Sequence, residues 1–470
     1  MTAAAAGPEF SLTPADFRSA YSLPKTGAAH QTIAIISAYD DPAAQTDLTA
    51  YTKRFGIPAC TTANRCFRKL NQTGAASPLP QTDPSGGTFL TESSVGAELA
   101  RGVCQSCSIL LVEANSADKP DVSAAVSTAA NAGATVIVTS FNEGESPGDP
   151  AYDSDYTPRN AVVVSASGDS GHTGLIYFPA SLPGVLAVGG TQLDLTGSGS
   201  YQGETAWYST TSGCSLYNPA AVWQGALAAS AGCAGKRADV DLAAVAQPGA
   251  LVHVRDAGAP CGTAWCEADG TSVAAPIIAG VIGLAGSAGS AEPRMLYGHA
   301  RSDPQAFHDI RSGADSVVCK GARICQARTG WDGPTGLGAP DGLAAFEPSG
   351  GALDPSHPGL TVTPSHGRLN ASRTWTTKLT LANTNPVAVT GSLTLSGRLP
   401  AEGGLRTVKL AVRSFKLAPL ATGAQTLTIA AGDRATLRQL GSAPVTVSVS
   451  LRGPAGRTVK LTRSLRLYAP

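Results

Sequence analysis

The sequence predicts an α/β domain with a mostly parallel sheet and helices on both faces, followed by a smaller all-β domain. From about residue 11 to about residue 350, apolar β-rich runs alternate with Ala-rich helical stretches. Beyond about residue 355, short segments alternate polar and apolar residues between turn signals. Because 470 residues exceed one ordinary core, we expect a flexible segment at 1–11, the α/β domain at 12–350 and the all-β domain at 355–470.

Three runs in the α/β part are apolar without alternation, which is typical of strands buried on both faces of a parallel sheet. They are residues 32–37, 108–113 and 161–165. Residues 121–132 have helical composition, and residues 135–139 predict the strand that follows this helix. The order of strand, helix and strand is that of a parallel-sheet domain.

The C-terminal segments with period-two alternation predict an immunoglobulin-like β-sandwich. They occur at residues 359–364, 377–381, 391–395, 426–429 and 445–451. This region carries about fifteen Lys and Arg against about three Asp and Glu, whereas the whole chain has no net charge. The excess indicates either solubility or adhesion to an anionic cell-wall or other polyanionic surface. No aromatic-interleaved basic motif is visible, so we expect no nucleic-acid partner.

Ten cysteines fall into five close-set pairs, for which neighbour pairing is the simplest disulfide arrangement. The pairs are Cys60 with Cys66, Cys104 with Cys107, Cys214 with Cys233, Cys261 with Cys266, and Cys319 with Cys325. The alternatives are a reduced cytosolic protein or a zinc site at Cys104 and Cys107. Disulfides imply an oxidising compartment. No apolar run is long enough to cross a bilayer, so we expect a secreted, extracellular protein whose export signal has been removed.

The strongest local signal is residues 269–276, Asp-Gly-Thr-Ser-Val-Ala-Ala-Pro, which precede the apolar helical stretch 277–285. A serine at the start of such a helix can present its hydroxyl into a cleft, where the helix dipole favours negative charge. Ser272 is therefore a candidate nucleophile. The alternative is that Ser272 is a helix N-cap.

The pattern Gly-Thr-Ser-x-x-x-Pro around Ser272 resembles the nucleophile segment of the subtilisin and sedolisin clan. The first strand ends at Ser37 and no His-Gly-Thr-His motif occurs, so a histidine-based triad is not expected. Residues 167–171, Ser-Gly-Asp-Ser-Gly, and Glu92 on a candidate helix instead resemble the sedolisins, which are serine-carboxyl peptidases. Over residues 12–346 the chain is similar to actinobacterial sedolisin-like proteins, and this resemblance implies a subtilisin-like fold.

The resemblance also implies a serine-type endopeptidase that acts on peptides or proteins. Ser272 would attack the scissile carbonyl, Glu92 would accept the proton of Ser272, and Asp169 would donate a hydrogen bond to the oxyanion. A carboxylate base works near its pKa and a carboxyl donor must hold its proton, so we expect an acidic optimum. We expect the protein to be a monomer.

One position departs from the sedolisin pattern. Four residues after the glutamate the family has an aspartate that orients it, and this chain has Gly96. Glu98 lies six residues after Glu92 and is expected to point to another face of the helix. Asp269 is a smaller difference, because the family usually has Gly there. Two hypotheses follow: a peptidase with reduced activity, or a catalytically impaired relative that binds peptides or surfaces.

Two further sets of residues are implied by the resemblance. One structural calcium ion would be held by oxygen ligands from Asp309, Ile310, Arg328, Gly330 and Asp332. The alternative is that the two aspartates only cap turns. An extended substrate would pair in β-fashion with the segment of Ser140, Phe141 and Asn142.

Overall fold

The computed structural model describes residues 11–28, 31–221, 223–255, 264–286, 292–319, 321–347, 360–364, 368–383, 389–401, 404–417, 422–452 and 458–470. The chain divides into two compact units, Met1–Glu347 and Pro348–Pro470. The predicted flexible segment 1–11 lies outside the described residues except for Ser11.

The first unit alternates strands and helices. Its strands are β1 Thr32–Ala38, β2 Phe67–Asn71, β3 Ser108–Ala114, β4 Val136–Thr139, β5 Glu143–Gly144, β6 Val162–Ala166, β7 Tyr177–Phe178, β8 Leu186–Leu195, β9 Tyr201–Ala206, β10 Gly213–Pro219, β11 Lys236–Asp239, β12 Leu242–Gln247, β13 Ala250–His253, β14 Trp265–Ala268, β15 Phe307–His308 and β16 Ala339–Pro340. Its helices are α1 Pro14–Ala20, α2 Ala44–Arg54, α3 Thr88–Val103, α4 Lys119–Asn131, α5 Gly225–Ser230, α6 Thr271–Ala285 and α7 Pro293–Ser302, with short 3-10 turns at Asp149–Tyr152 and Pro304–Ala306.

A parallel sheet forms the centre of this unit, in the order β12-β8-β6-β4-β1-β3-β2. Ile33 of β1 pairs with Ile109 of β3 on one side and Val136 of β4 on the other. Only β9 runs antiparallel to its neighbour, β8, at the end of the sheet where β12 also pairs. The four strands and the helix expected from the apolar runs are confirmed, with ends within two residues.

The two faces of the sheet support two apolar clusters. Ile33 and Ile35 of β1 point to the side where α3 and α6 pack, whereas Ala34 and Ile36 point to the side of α4. Alternate residues of a strand face opposite sides, so a run buried on both sides must be apolar throughout. Helices therefore cover both faces, as the sequence predicts, and the mostly parallel α/β architecture is confirmed.

The carboxyl ends of the parallel strands meet at one edge of the sheet. Ser140 directly follows β4, and Asp169 lies three residues after β6. Helix α3 carries Glu92 in its second turn, and Ser272 is the second residue of α6. Because α3 and α6 pack against each other and against β1, these side chains converge on this edge.

Four of the five predicted disulfides are present: Cys60–Cys66, Cys104–Cys107, Cys214–Cys233 and Cys319–Cys325. The bond between Cys104 and Cys107 rules out the zinc alternative. Cys261, one half of the fifth pair, lies outside the described residues. Within the described part of the chain, no helix is both long and apolar enough to span a membrane.

The second unit consists mainly of strands. They are β17 Leu360–Thr363, β18 Arg368–Asn370, β19 Thr376–Asn383, β20 Val389–Ala401, β21 Gly404–Leu417, β22 Thr422–Thr428, β23 Ser442–Arg452 and β24 Thr458–Tyr468, with one helix, α8 Ala431–Leu440, between β22 and β23. One sheet has the order β17-β19-β22 and the other β18-β24-β23-β20-β21. The pairs are antiparallel except β18 with β24.

The apolar faces of both sheets contribute to one cluster, which includes Leu379, Leu427, Leu395 and Val447. Helix α8, which the sequence did not predict, adds Leu437 to this core. The strand segments expected from the alternation are confirmed. The immunoglobulin-like class of this unit stays a prediction.

Candidate active site

Ser272 lies at the start of α6, and the residue before this helix, Gly270, lies close to the carboxyl group of Asp169. Gly270 is the N-cap and has a φ of 106°, a conformation that favours glycine. A Cβ there would lie 2.6 Å from Oδ2 of Asp169. The glycine therefore lets the Asp169 carboxyl approach the helix start. Ser272 lies inside the first turn and is not the N-cap, so that alternative is wrong.

The carboxyl group of Glu92 is buried. Its Oε2 atom is buried and has no hydrogen-bond partner among the described residues. Burial raises the pKa of Glu92 to about 7, and the charge of Asp169 adds to the rise. Hydrogen bonding with the hydroxyls of Ser272 and Ser140 opposes that rise in pKa. A carboxylate of raised basicity thus faces the Ser272 hydroxyl, which is the pairing that a general base requires.

Asp169 is oriented by the residue next to Ser272. Its Oδ1 atom accepts hydrogen bonds from the backbone N–H of Thr271 at 2.9 Å and from the Thr271 hydroxyl at 2.7 Å. The same hydroxyl accepts the N–H of Gly168 at 3.1 Å. Loss of hydration raises the pKa of Asp169, although the residue keeps one exposed side, and the charge of Asp269 raises it further. Asp169 is thereby biased toward its protonated, donating form.

Gly96 faces an apolar neighbour rather than a polar one. A Cβ at this position would lie 2.8 Å from Cγ2 of Ile35 on β1. Ile35 therefore fills the space next to Gly96. Glu98 points elsewhere, as expected, because its Oε2 atom accepts the N–H of His253 at 2.8 Å. Burial raises the pKa of Glu98, and the charge of Asp47 raises it further.

The predicted substrate segment is divided between two environments. Hydrogen bonding with the Ser140 hydroxyl lowers the pKa of Glu92. Phe141 is buried, with its ring stacked 5.8 Å from that of Phe89, whereas Asn142 is exposed. The proximity of Ser140 to Glu92 and of Thr271 to Asp169 was not predicted from the sequence. Thr271 has a signal in the Gly-Thr-Ser segment itself, whereas Ser140 has none beyond its place after a buried strand.

The residues predicted for calcium share one loop region. The backbone carbonyls of Ile310, Arg328 and Gly330 accept no hydrogen bond from any described residue. The neighbouring carbonyls at 329 and 331, in contrast, both accept hydrogen bonds from the Arg323 guanidinium. No cluster of three or more His, Cys, Asp or Glu side chains among the described residues could hold a metal ion. A cation here would therefore depend on main-chain oxygens.

The two acidic residues of this set are engaged in turn contacts. Asp309 accepts the Gly330 N–H at 2.9 Å and Nε of Arg311 at 2.8 Å. Asp332 accepts the backbone N–H and the hydroxyl of Thr335 at 3.0 and 2.8 Å. These contacts are those of turn capping. Both oxygens of Asp309 and Oδ2 of Asp332 accept one hydrogen bond each and keep a second lone pair, so the all-oxygen set also fits calcium.

Comparison with known proteins agrees with the fold. The Subtilase family profile matches residues 84–297. Sedolisin from Pseudomonas sp. (strain 101) is 33% identical over 187 residues, which cover 36% of this chain and 30% of sedolisin. Kumamolisin from Bacillus sp. (strain MN-32) is 30% identical over 382 residues, which cover 73% of this chain and 65% of kumamolisin. The chain thus spans less than two thirds of the length of these relatives.

A solved structure shows the same relationship. Pseudomonas sedolisin, a serine-carboxyl proteinase in complex with two molecules of pseudo-iodotyrostatin, aligns with a TM-score of 0.59 at 25% identity and covers 70% of this chain and 95% of that chain. The Subtilase profile and the shared fold define the class as that of proteins with a subtilisin-like fold. Within this class, the chain is a sedolisin-like protein.

Proposed function

We propose that the protein is a secreted endopeptidase that cleaves peptide bonds under acidic conditions. The observation that carries this proposal is the buried Glu92 carboxyl facing the Ser272 hydroxyl, beside Asp169. Glu92 takes the Ser272 proton as Oγ forms a bond to the scissile carbonyl carbon, and later returns that proton to the leaving amine. Protonated Asp169 donates a hydrogen bond to the carbonyl oxygen as it becomes negative.

The two carboxyl groups must be in opposite protonation states for this mechanism. Glu92 has to be ionised, and its pKa is raised to about 7. Asp169 has to hold a proton, and its pKa is raised as well. Activity should therefore rise from strong acid as one proton leaves the pair and fall when the second proton leaves. A bell-shaped profile on the acid side of neutrality is expected.

A second candidate function is peptide or surface binding without efficient turnover. The observation that favours it is the contact of Gly96 with Ile35, which leaves no room for an orienting acid beside Glu92. Among the described residues, hydrogen bonding that favours the ionised form of Glu92 comes from the hydroxyls of Ser272 and Ser140. Members of a proton relay act as a unit, and loss of one commonly lowers the rate by orders of magnitude.

The remaining parts of the proposal concern metal and location. The three unpaired carbonyls of the 310–330 region support a calcium ion that would tie this loop to Asp309 and Asp332. Such an ion would stabilise the fold and take no part in the chemistry. The disulfides support an oxidising, extracellular location. We expect the protein to act as a monomer.

The test is hydrolysis of a denatured protein between about pH 3 and pH 7, the range in which carboxyl groups titrate. The natural chain is compared with Ser272→Ala and with Asp169→Asn, with calcium present. Acid-side cleavage that Ser272→Ala lowers at least about a thousandfold would support the peptidase. Equal rates for the natural chain and folded Ser272→Ala would refute it, and retained affinity for the substrate would then favour the binding function.

A further inference from the structure

The outward face of the five-stranded sheet in the second unit is a one-sign charged surface. In β20 and β23, Leu393, Leu395, Val447 and Val449 are buried, so the alternate residues point away from the core. Register then places six exposed cations without a ring contact on that outward face, namely Arg398, Lys409, Lys416, Arg452, Lys460 and Arg466. A seventh, Arg368 of β18, stacks on the ring of Tyr468 at the end of the face.

None of these six cations is in an ion pair within the described residues. No Asp or Glu lies on the described part of this face, because the described acid of the unit, Asp433, lies on α8. A surface that serves only solubility carries both signs of charge interspersed. A face with six cations and no described carboxylate therefore favours an anionic partner.

Hydroxyl groups occupy most positions between these cations. Ser392, Ser396, Thr446, Ser450, Thr462 and Ser464 share the outward face by register. Lys416, Thr390 and Arg452 form one row across three strands, and Ser450 stands directly opposite Lys460 in the neighbouring row. Strands lie about 4.8 Å apart and every second residue about 6.7 Å along a strand. In the row of Lys416, Thr390 and Arg452 the two cations therefore lie about 9.6 Å apart with a hydroxyl between them.

The face has no free aromatic ring among its described residues. Tyr468 lies at its end, but the guanidinium of Arg368 sits 3.9 Å from the centre of that ring. Nucleobases of single strands are usually held by stacking on aromatic side chains. The expected ligand is therefore one whose charges and hydroxyls make the contacts.

We propose that this sheet face binds a linear polymer of polyol phosphate, in which phosphodiester charges alternate with hydroxyl-bearing units. Six phosphate contacts predict that log affinity falls with log salt at a slope of about −4. Affinity should then drop about a hundredfold between 50 and 150 mM salt. The surface would hold the chain on an anionic wall independently of whether the first unit cleaves peptides.

The test is isothermal titration of the full chain with poly(glycerol phosphate) of defined length, at two salt concentrations. The variant Arg452→Gln with Lys460→Gln removes two cations from the face. Arg373→Gln with Lys378→Gln removes the same charge from exposed positions of the unit that lie off this face. The face variant is expected to bind about tenfold more weakly, and the control to bind like the natural chain, with equal melting temperatures for all three.

Two results would overturn the proposal. One is equal weakening in both double variants, because binding would then follow total charge and not this face. The other is tighter binding of a single-stranded oligonucleotide with the same number of phosphates, because bases would then contribute to recognition.

Discussion

The Ser140 hydroxyl is expected to keep the Glu92 carboxylate ionised, and Ser140→Ala removes it. Hydrogen bonding with Ser140 and Ser272 lowers the pKa of Glu92, against the burial and the Asp169 charge that bring it to about 7. A hydrogen bond to a charged group contributes about 1.5–3 kcal/mol, and about 1.4 kcal/mol corresponds to one pKa unit. We therefore expect the pKa of Glu92 to rise from about 7 to about 8 or 9 in the variant.

The assay is kcat/KM for a quenched fluorescent peptide at about pH 5, which lies below the pKa of Glu92 in both proteins. The ionised fraction of Glu92, and with it the rate, should fall about 10- to 100-fold in Ser140→Ala. Ser140→Thr retains a hydroxyl and should keep most of the rate. Ser198→Ala removes a hydroxyl from an exposed turn outside the site and is the matched control.

Titration of the Glu92 carboxyl by infrared spectroscopy, in an inactive Ser272→Ala background, supplies the decisive measurement. An unchanged pKa after Ser140→Ala would refute the reasoning, because the hydroxyl would then not stabilise the carboxylate. A rate loss of the same size at every pH would show that Ser140 acts on substrate binding and not on the base.

Three other outcomes are expected. Gly96→Asp alone should lose about 1–3 kcal/mol of stability, because its Cβ would lie 2.8 Å from Ile35; only the double variant with Ile35→Ala should gain turnover, measured as kcat/KM. The pKa of Glu204 is raised by burial from 4.5 to about 7. The contribution of protonated Glu204 to the free energy of unfolding is therefore complete below about pH 4.5 and lost as the pH rises through about 7. In Glu204→Gln, the free energy of unfolding should fall by about 3 kcal/mol less than in the natural chain over this pH range, measured by denaturant unfolding at several pH values. Calcium should raise the melting temperature of the natural chain but not of Asp332→Asn, and an equal rise in both would contradict the proposed site.

Most of the first unit could be predicted from the sequence because its strands are buried on both faces. Runs such as residues 108–113 contain no polar alternation, and this leaves few alternatives to a parallel sheet. Helix α8 could not be predicted in the same way. It is a short amphipathic segment with one buried leucine, Leu437, and it stands among segments of alternating residues that predict strands.

The residues of the candidate site could be predicted from the sequence where they lie in short local motifs. Ser272 and Asp169 each lie in a short Gly-containing segment of recognisable pattern. The action of Ser140 on Glu92 depends on where β4 ends relative to α3, which is a property of the assembled sheet. The contact between Gly96 and Ile35 likewise depends on which side of β1 faces the helix.

The contact between Gly96 and Ile35 also constrains the order in which substitutions could accumulate at this site. An aspartate introduced first would meet the isoleucine, and an alanine introduced first at 35 would leave a cavity in the core that costs about 2–5 kcal/mol. Each single substitution lowers the stability of the fold, although the two substitutions together restore the packing. An evolving sequence would therefore have to pass through a less stable single variant before it regained an acid beside Glu92. The contact with Ile35 thus favours retention of Gly96.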